Sequence, residues 1–301
     1  MPDDLRHEPL ADAGPPARVL RLDGSAGGYR ARATLGIGVE LRRQLTRRRT
    51  QIALGFLVIL PFLLVAAFMF GDESRRGAVP GLVDLATEGA GNFTVFTLFV
   101  SCGFLLVVVV ALFAGDTIAS EASWSSLRYL LAVPVPRSHL LRRKLVVALL
   151  YSAFALLLLP LVAFLAGEMF FGDAPLRSPI GDTISGRAML EHLLVAIAYI
   201  ALSLLFVAAL AFLLSVITDA PLGAVGGAVM IVIVSNILDA VTALGSFRQV
   251  LPTHYSFAWL DVVGADIAWD SMLRGVLWSI GYSAVFFALA WWHFERKDIT
   301  S

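Results

Sequence analysis

Charged residues are missing where the hydrophobic residues of this sequence are concentrated. Six long apolar stretches contain no Asp, Glu, Lys or Arg: residues 52–70, 94–115, 145–167, 193–218, 220–238 and 275–294. A bilayer core about 30 Å thick needs about 20 apolar residues of helix to cross it. One central arginine in such a helix costs about 2.5–3.5 kcal/mol. The absence of charge therefore predicts an all-α polytopic membrane protein with six transmembrane helices and excludes an ordinary soluble domain.

Cysteine and lysine are also scarce. The single cysteine, Cys102, excludes an intramolecular disulfide. The two lysines, Lys144 and Lys297, both follow arginine, whereas the lysine of a phosphate-binding loop follows glycine. No HExxH zinc helix is present, and the five histidines are scattered along the chain. We therefore predict that the chain is not an enzyme and has no catalytic residue, metal or cofactor of its own.

The polar remainder of the chain is short. The composition is 58% hydrophobic with a mean hydropathy of +0.81, well above that of soluble domains. Residues 1–34 are rich in Pro, Gly, Asp and Arg and have no apolar core, which predicts a disordered cytosolic tail and no signal peptide. Residues 35–301 form the predicted membrane domain.

Basic residues are distributed unevenly between the apolar stretches. They concentrate before the first stretch, between the second and third, and after the last. The alternate connections, around residues 72–93, 168–192 and 244–274, carry more acidic than basic residues. Lys and Arg mark the cytoplasmic side of a membrane protein, so both termini are predicted to be cytosolic. Basic residues that flank membrane spans also argue against nucleic-acid binding.

The segment before the first stretch has the pattern of an amphipathic helix. Within residues 35–50, Ile37, Leu41 and Leu45 recur at four-residue spacing, and arginines occupy other faces. An apolar stripe beside a cationic face predicts a helix that lies on the lipid of the inner leaflet. The alternative is an arginine-rich flank without a defined helix.

The connection between the second and third stretches, residues 116–144, is the most informative part of the chain. A short helix from about Ile118 to Leu131 would have an apolar face, and Pro134 and Pro136 would end it. The apolar face consists of Trp124, Leu127, Leu130 and Leu131. Such a helix cannot bury its apolar side alone, so we expect it to dock on a partner or on the lipid surface. The alternative is a basic loop with incidental leucines.

At these residues the chain resembles the ABC-2 type permeases, the membrane subunits of ATP-binding-cassette exporters. The C-terminal residues 294–299 and the Leu251-Pro252 pair are also similar to that family. The resemblance covers residues 35–299, and its most specific part is the connection between the second and third stretches. The matching positions there are Ile118, Ala119, Glu121, Ser125, Ser126, Leu127, Leu130, Leu131, Pro134, Val135, Arg137, Leu140, Leu141 and Lys144.

The resemblance implies a function and partners. The short helix would be a coupling helix that contacts a separate ATP-binding subunit, which would bind ATP and Mg and hydrolyse the nucleotide. A second copy of the chain or a paralogous permease would complete the transport path in the bacterial cell (inner) membrane. The residues implied in the contact with the ATPase are Glu121, Trp124, Leu127, Leu130, Leu131 and Arg137.

In that family the second and fifth spans line the substrate path. The corresponding residues here are Thr97, Ser101, Val232 and Asn236. An apolar lining with few hydroxyls suits a lipophilic drug, lipid or peptide antibiotic. The fifth stretch also contains Gly223 and Gly227 at GxxxG spacing, which favours close packing against another helix.

Two other classes of function stay open. An ion- or proton-coupled secondary transporter would place ionisable groups inside its spans, and the nearest candidates, Glu168, Asp219 and Asp239, fall at or beyond the predicted span ends. A membrane-embedded enzyme or an assembly factor is the other alternative. The aromatic residues of the last outer loop, residues 245–272, fit an interfacial or re-entrant segment.

Overall fold

A computed structural model describes residues 36–71, 81–123, 137–179, 181–264 and 267–296 of the protein. The predicted tail, residues 1–34, lies outside these ranges. So do residues 124–136, which include the whole apolar face of the predicted coupling helix, and the C-terminal residues 297–301.

The described residues are mostly helical. Two short 3₁₀ helices, Thr242–Val250 and Ala258–Val262, precede the last α-helix. A small antiparallel hairpin pairs β1 (Leu176–Arg177) with β2 (Thr183–Ile184). The α-helices are α1 (Ile37–Leu45), α2 (Arg48–Phe70), α3 (Leu82–Leu85), α4 (Ala90–Cys102), α5 (Leu105–Ser123), α6 (Arg137–Phe171), α7 (Gly186–Ser203), α8 (Leu205–Ile217), α9 (Pro221–Ala240) and α10 (Trp269–Arg296).

Five helical segments are long and apolar enough to cross a membrane, by length and composition. They are Arg48–Phe70, Ser138–Phe171, Gly186–Ile217, Pro221–Ala240 and Trp269–Arg296. A bent pair, α4 and α5, raises the number to six if it counts as one span. The helical membrane-protein character predicted from the sequence agrees with this architecture, and the small β-hairpin is an addition to it. The sidedness of the termini stays a prediction.

The second predicted span, residues 94–115, is not one straight helix. Helix α4 ends at Cys102, α5 begins at Leu105, and the two axes differ by 59°. Gly103 lies at the bend, where a residue with no side chain offers little resistance to a change of helix direction. Helix α5 also continues to Ser123, eight residues beyond the predicted span end.

A second, milder break separates α7 from α8 at Leu204. The Ser279 hydroxyl of α10 donates hydrogen bonds to the carbonyl oxygens of Leu202 (2.7 Å) and Ser203 (3.1 Å) at this point. A side chain that inserts into the backbone hydrogen-bond ladder is a recognised cause of helix breaks. The fourth predicted span, residues 193–218, therefore covers most of two helices joined by a single residue.

Helix α8 is at the centre of the fold. It packs mainly on α10 and α5, and also on α9, whereas α6 packs on α4, α2 and α5. The most apolar window of the α7–α8 segment is 72% buried, compared with 22% in α2. The outer face of α2 carries exposed Ile52, Phe56 and Phe62, as expected for a surface that contacts lipid. The predicted turn between the fourth and fifth spans is confirmed, because α9 begins at Pro221.

The end of the bundle that holds β1 and β2 contains a contact between α4 and the hairpin and, in the aromatic loop, a buried tryptophan. The side-chain amide of Asn92 donates to the carbonyl oxygen of Arg177 (2.8 Å) and accepts from its backbone N–H (2.9 Å), so α4 is fastened to the hairpin. In the aromatic loop, Trp259 is completely buried against the core, while Phe257 and Trp269 are exposed. Trp259 therefore packs inside the protein, whereas the interfacial interpretation placed these rings at headgroup depth.

The predicted GxxxG contact is only partly present. A side chain at Gly227 would touch Leu214 of α8, but Gly223 faces residues of its own turn and Gly226 has open space around it. A close approach of α9 to α5 occurs at Gly115 of α5, where a Cβ would lie 3.0 Å from the Val225 side chain and 3.3 Å from its backbone nitrogen. The small residue that permits this packing is therefore on α5.

Candidate functional site

A cluster of charged side chains lies where α1 and the start of α2 meet the end of α5 and the start of α6. Asp116 and Glu121 of α5 and Lys144 of α6 are almost completely buried. The N-terminal segment supplies the surrounding charges, which are Glu40, Arg43, Arg47 and Arg49. We call these seven residues the charge cluster. Because the six apolar stretches of the chain contain no charged residue, this cluster is the most distinctive polar region of the described structure.

Asp116 is held by two arginines. Arg47 donates to its Oδ2 at 2.6 Å, and Arg49 contacts its Oδ1. The aspartate side chain is 1% exposed, whereas Arg47 is 18% and Arg49 43% exposed. Burial of an unpaired carboxylate costs several kcal/mol, so both oxygen atoms need these partners. The pairing ties the start of α2 to the last turns of α5.

Glu121 and Lys144 form the second half of the cluster. The Lys144 ammonium donates to Oε1 of Glu121 (2.9 Å) and to Oε1 of Glu40 (2.7 Å). Arg43 also contacts Oε1 of Glu121 at 2.9 Å. Glu121 is 1% and Lys144 5% exposed at the side chain, so the pair is shielded from water and ionic strength. One carboxylate thereby joins α1, α5 and α6.

Two further hydrogen bonds position the helices that carry the charges. The Tyr151 hydroxyl of α6 donates to the backbone carbonyl of Leu41 in α1 at 2.6 Å. The Ser215 hydroxyl of α8 accepts the backbone N–H groups of Ile118 (2.9 Å) and Ala119 (3.0 Å) in α5. Ser215 is fully buried. The end of α5 is therefore fixed both to the N-terminal segment and to the central helix of the bundle.

The N-terminal segment differs in detail from the prediction for residues 35–50. Helix α1 covers Ile37–Leu45, and the chain then turns at Thr46 before α2 begins at Arg48. Ile37 and Leu41 pack against the core, while Leu45 is exposed. The amphipathic helix is thus present, but its last predicted turn belongs to α2, and the polar face binds the bundle through its charges.

The residues predicted to contact an ATPase are only partly included in the described structure. Trp124, Leu127, Leu130 and Leu131 lie outside the described residues. Arg137 is the first residue of α6. Glu121 is buried in the charge cluster, where its carboxylate contacts Lys144 and Arg43. A direct contact of these residues with another subunit stays a prediction.

The structure separates the four residues predicted for a substrate path into two groups. Val232 and Asn236 line a narrow cavity at the α4–α5 bend, together with Cys102 and Gly103. Thr97 and Ser101 are buried on α4, and the Thr97 hydroxyl donates to the carbonyl of Phe93 at 2.8 Å. Among the described atoms, the buried Ser101 hydroxyl has no hydrogen-bond partner. A role of any of these residues in transport stays a prediction.

Most members of the site were not identified from the sequence as functional residues: Glu40, Arg43, Arg47, Arg49, Asp116, Tyr151 and Ser215. Asp116 was assigned to a loop because the predicted span ended at Gly115. One signal was available: Glu40, Arg43 and Arg47 recur at helical spacing, and a helix face with both charge signs indicates a charged partner surface. Within the described ranges, no group of three or more His, Cys, Asp or Glu side chains could hold a metal ion.

Comparison with known proteins identifies a family for this chain. Residues 62–300 match the family described as protein of unknown function DUF2705. The chain belongs to this family. The match includes Asp116, Glu121 and Lys144 but begins after the N-terminal arginines of the charge cluster.

The chain is also similar to a curated bacterial protein. It is 24% identical over 226 residues to the uncharacterized protein YhcI of Bacillus subtilis (strain 168). The similarity covers 70% of this chain and 67% of that protein. Neither the family description nor this relative states an activity, so the function has to be argued from the residues.

Proposed function

We propose that this DUF2705 chain is the permease subunit of an ABC-2 type exporter that moves a lipophilic substrate outward. In this proposal it forms the transmembrane path with a second copy or a paralogue, and a separate ATP-binding subunit supplies the energy. The observation that carries the proposal is the buried Glu121–Lys144 pair, which joins the two ends of the candidate coupling segment.

The pair supports coupling for a mechanical reason. Residues 124–136 begin after α5 and end at α6, and the Glu121–Lys144 contact holds these two helices together at 2.9 Å. A short segment whose ends are fixed to two long helices can pass a displacement to both of them. A free loop would absorb the same displacement in its own backbone.

The N-terminal segment strengthens the same junction. Arg43 and Arg47 attach α1 and α2 to the carboxylates of α5, and Glu40 attaches α1 to Lys144 of α6. A force that reaches the end of α5 would therefore act on α1, α2 and α6 as well. In the proposal, the charge cluster is the joint through which the ATP-driven movement enters the bundle. Glu121 then acts as a positioning residue inside this joint.

One observation favours a second candidate, an ion-coupled secondary transporter. Asp116 and Glu121 are buried ionisable groups within the apolar α4–α5 pair, and such groups often mark proton or ion pathways. Their partners, however, are arginines and a lysine arranged at the ends of helices, and this pairing is typical of a structural joint. Transport into inverted vesicles distinguishes the two. The exporter requires ATP and the ATPase subunit, whereas the secondary transporter would run on an ion gradient alone.

The coupling proposal is tested with Leu127→Asp in the chain co-expressed with an ATP-binding-cassette ATPase encoded beside it. We expect normal membrane insertion but loss of ATPase co-purification and of ATP-dependent transport, because a carboxylate cannot enter an apolar cleft. Leu127→Met keeps the side chain apolar and should retain both. Val83→Asp adds the same charge to exposed helix α3 and should also retain both.

If Leu127→Asp still formed the complex with the ATPase and still transported substrate, the result would contradict the proposal. If Val83→Asp also lost ATPase co-purification and transport, an added carboxylate would disrupt both wherever it is placed. The coupling segment would then have no special role.

A further inference from the structure

An open cavity of about 550 Å³ lies beside the charge cluster. Its walls include Arg43, Arg47, Arg48 and Arg49 together with Ser120 and Glu121. Four guanidinium groups around one cavity are unusual in a chain whose charged residues make up 15% of its composition. The arrangement calls for an explanation beyond the internal ion pairs.

The charges around the cavity do not balance. The charge cluster and Arg48 together hold five basic side chains against the three carboxylates of Glu40, Asp116 and Glu121. Arg48 is exposed and has no ion pair with any of the described residues. Arg49 is 43% exposed and reaches only one oxygen of Asp116. Counted over the described residues, the cavity therefore has a surplus of two positive charges, and the Arg48 guanidinium is available to bind a ligand.

The backbone at the start of α2 adds N–H donors, which attract a negatively charged ligand as the arginines do. Helix α2 begins at Arg48, and its N-cap residue, Arg47, makes no side-chain capping hydrogen bond. The first amide N–H groups of a helix have no partner within the helix and carry the positive end of its dipole. Arginine forks and helix N-termini are both donors that match the oxygen atoms of a phosphate group.

The surroundings of the cavity identify the source of the phosphate. Ile52, 71% exposed, and Phe56, 44% exposed, follow on α2 within two turns of Arg48. A ligand with its anionic group in the cavity could lay an acyl chain along this apolar face. This face is the one that contacts membrane lipid, so a phospholipid can use it together with the cavity, whereas a soluble phosphate compound makes no use of it.

We propose that the cavity binds a phosphate group and that an anionic phospholipid, such as phosphatidylglycerol, supplies it. Arg48 donates to the phosphate from the start of α2, and Arg43 and Arg49 complete the positive wall. The bound lipid then stabilises the turn between α1 and α2. This inference concerns a lipid site beside the charge cluster and does not depend on the proposed export function.

The test uses the full chain in uncharged detergent micelles, so that no charged surface competes for the ligand. Short-chain phosphatidylglycerol, short-chain phosphatidylcholine and inorganic phosphate are titrated separately, and binding is followed by thermophoresis. We expect phosphatidylglycerol to bind at least tenfold more tightly than the other two. Arg48→Gln should weaken its binding about tenfold, which is the loss expected for one charge-assisted hydrogen bond.

Arg42→Gln is the matched control. Arg42 is exposed on α1 but does not line the cavity, so its loss should change the phosphatidylglycerol affinity less than twofold. Arg48→Lys keeps the positive charge but lacks the planar guanidinium group. Its affinity for phosphatidylglycerol should therefore lie between those of the wild type and Arg48→Gln. The thermal midpoint of each variant without lipid, measured in parallel, should match the wild type.

Three results would overturn the proposal. Equal losses in Arg42→Gln and Arg48→Gln would show a general attraction to basic residues with no defined site. Equal binding of phosphatidylcholine, whose headgroup carries a phosphate but no net charge, would show that the cavity does not select an anionic phospholipid. Inorganic phosphate that binds as tightly as phosphatidylglycerol would overturn the lipid as the source of the phosphate.

Discussion

The ammonium group of Lys144 lies 2.9 Å from the carboxylate of Glu121, although 23 positions separate the two residues. Both side chains are at most 5% exposed. The contact closes the loop of chain between α5 and α6 at its base. Glu121 and Lys144 thus form one buried ion pair, and its contribution to stability can be tested by mutation.

The first prediction concerns this pair. Lys144→Met should lower the free energy of unfolding by up to about 3 kcal/mol, because it leaves a buried carboxylate with Arg43 as its main remaining partner. The double variant Glu121→Gln/Lys144→Met should recover part of the loss. Thermal unfolding in detergent measures both.

The control for this pair is Glu191→Gln, which breaks the solvent-exposed Arg187–Glu191 pair of α7. Solvent-exposed ion pairs contribute little to stability, so the thermal midpoint of unfolding should not change measurably in this variant. A double variant less stable than Lys144→Met would contradict the argument that the unpaired charge dominates the effect.

The second prediction concerns Ser215. Ser215→Ala should destabilise the protein by about 1–3 kcal/mol, because the buried amide N–H groups of Ile118 and Ala119 lose their acceptor. Hydrogen exchange at these two amides should accelerate in the variant. Ser123→Ala removes an exposed hydroxyl whose one hydrogen bond among the described residues goes to the Ser120 carbonyl, and it serves as the control. Unchanged exchange at Ile118 and Ala119 would show that Ser215 is not their acceptor.

The third prediction compares two glycines of α10. A Cβ at Gly275 would overlap the Tyr199 hydroxyl and lie 2.7 Å from Cβ of Tyr255, so Gly275→Ala must displace α10 or these two tyrosines. We expect a loss of about 1–3 kcal/mol from this overpacking. Gly281 has no atom within 4 Å of its Cβ position, so Gly281→Ala should be neutral or stabilise the helix by up to about 1 kcal/mol. Equal thermal midpoints for the two variants would contradict the close packing.

The membrane-spanning segments were predictable because transfer into a bilayer depends on local composition. The first and fifth stretches, residues 52–70 and 220–238, correspond closely to α2 and α9. The breaks were not predictable in the same way. The junction at Leu204 involves the Ser279 hydroxyl, which comes from a helix more than seventy residues further along the chain. Local hydropathy contains no information about such a contact.

The candidate site was predictable only in part. The sequence drew attention to Glu121 through the loop pattern, but it placed this residue on a surface that contacts another protein. Its burial results from the partners that α1 and α6 bring, Arg43 and Lys144, and these pairings depend on the tertiary fold. Asp116 was missed because a carboxylate next to an apolar stretch normally marks its end. Here the helix continues, since Arg47 and Arg49 neutralise the charge.

The 59° angle between α4 and α5 affects how movement can spread through the bundle. If α5 slides along its own axis, Gly103 travels with it and carries the end of α4. Because α4 leaves that point at a steep angle, it is displaced mostly sideways. A movement of α5 along its axis would thus become a sideways displacement of the Cys102 end of α4, while Asn92 keeps the other end of α4 attached to the hairpin.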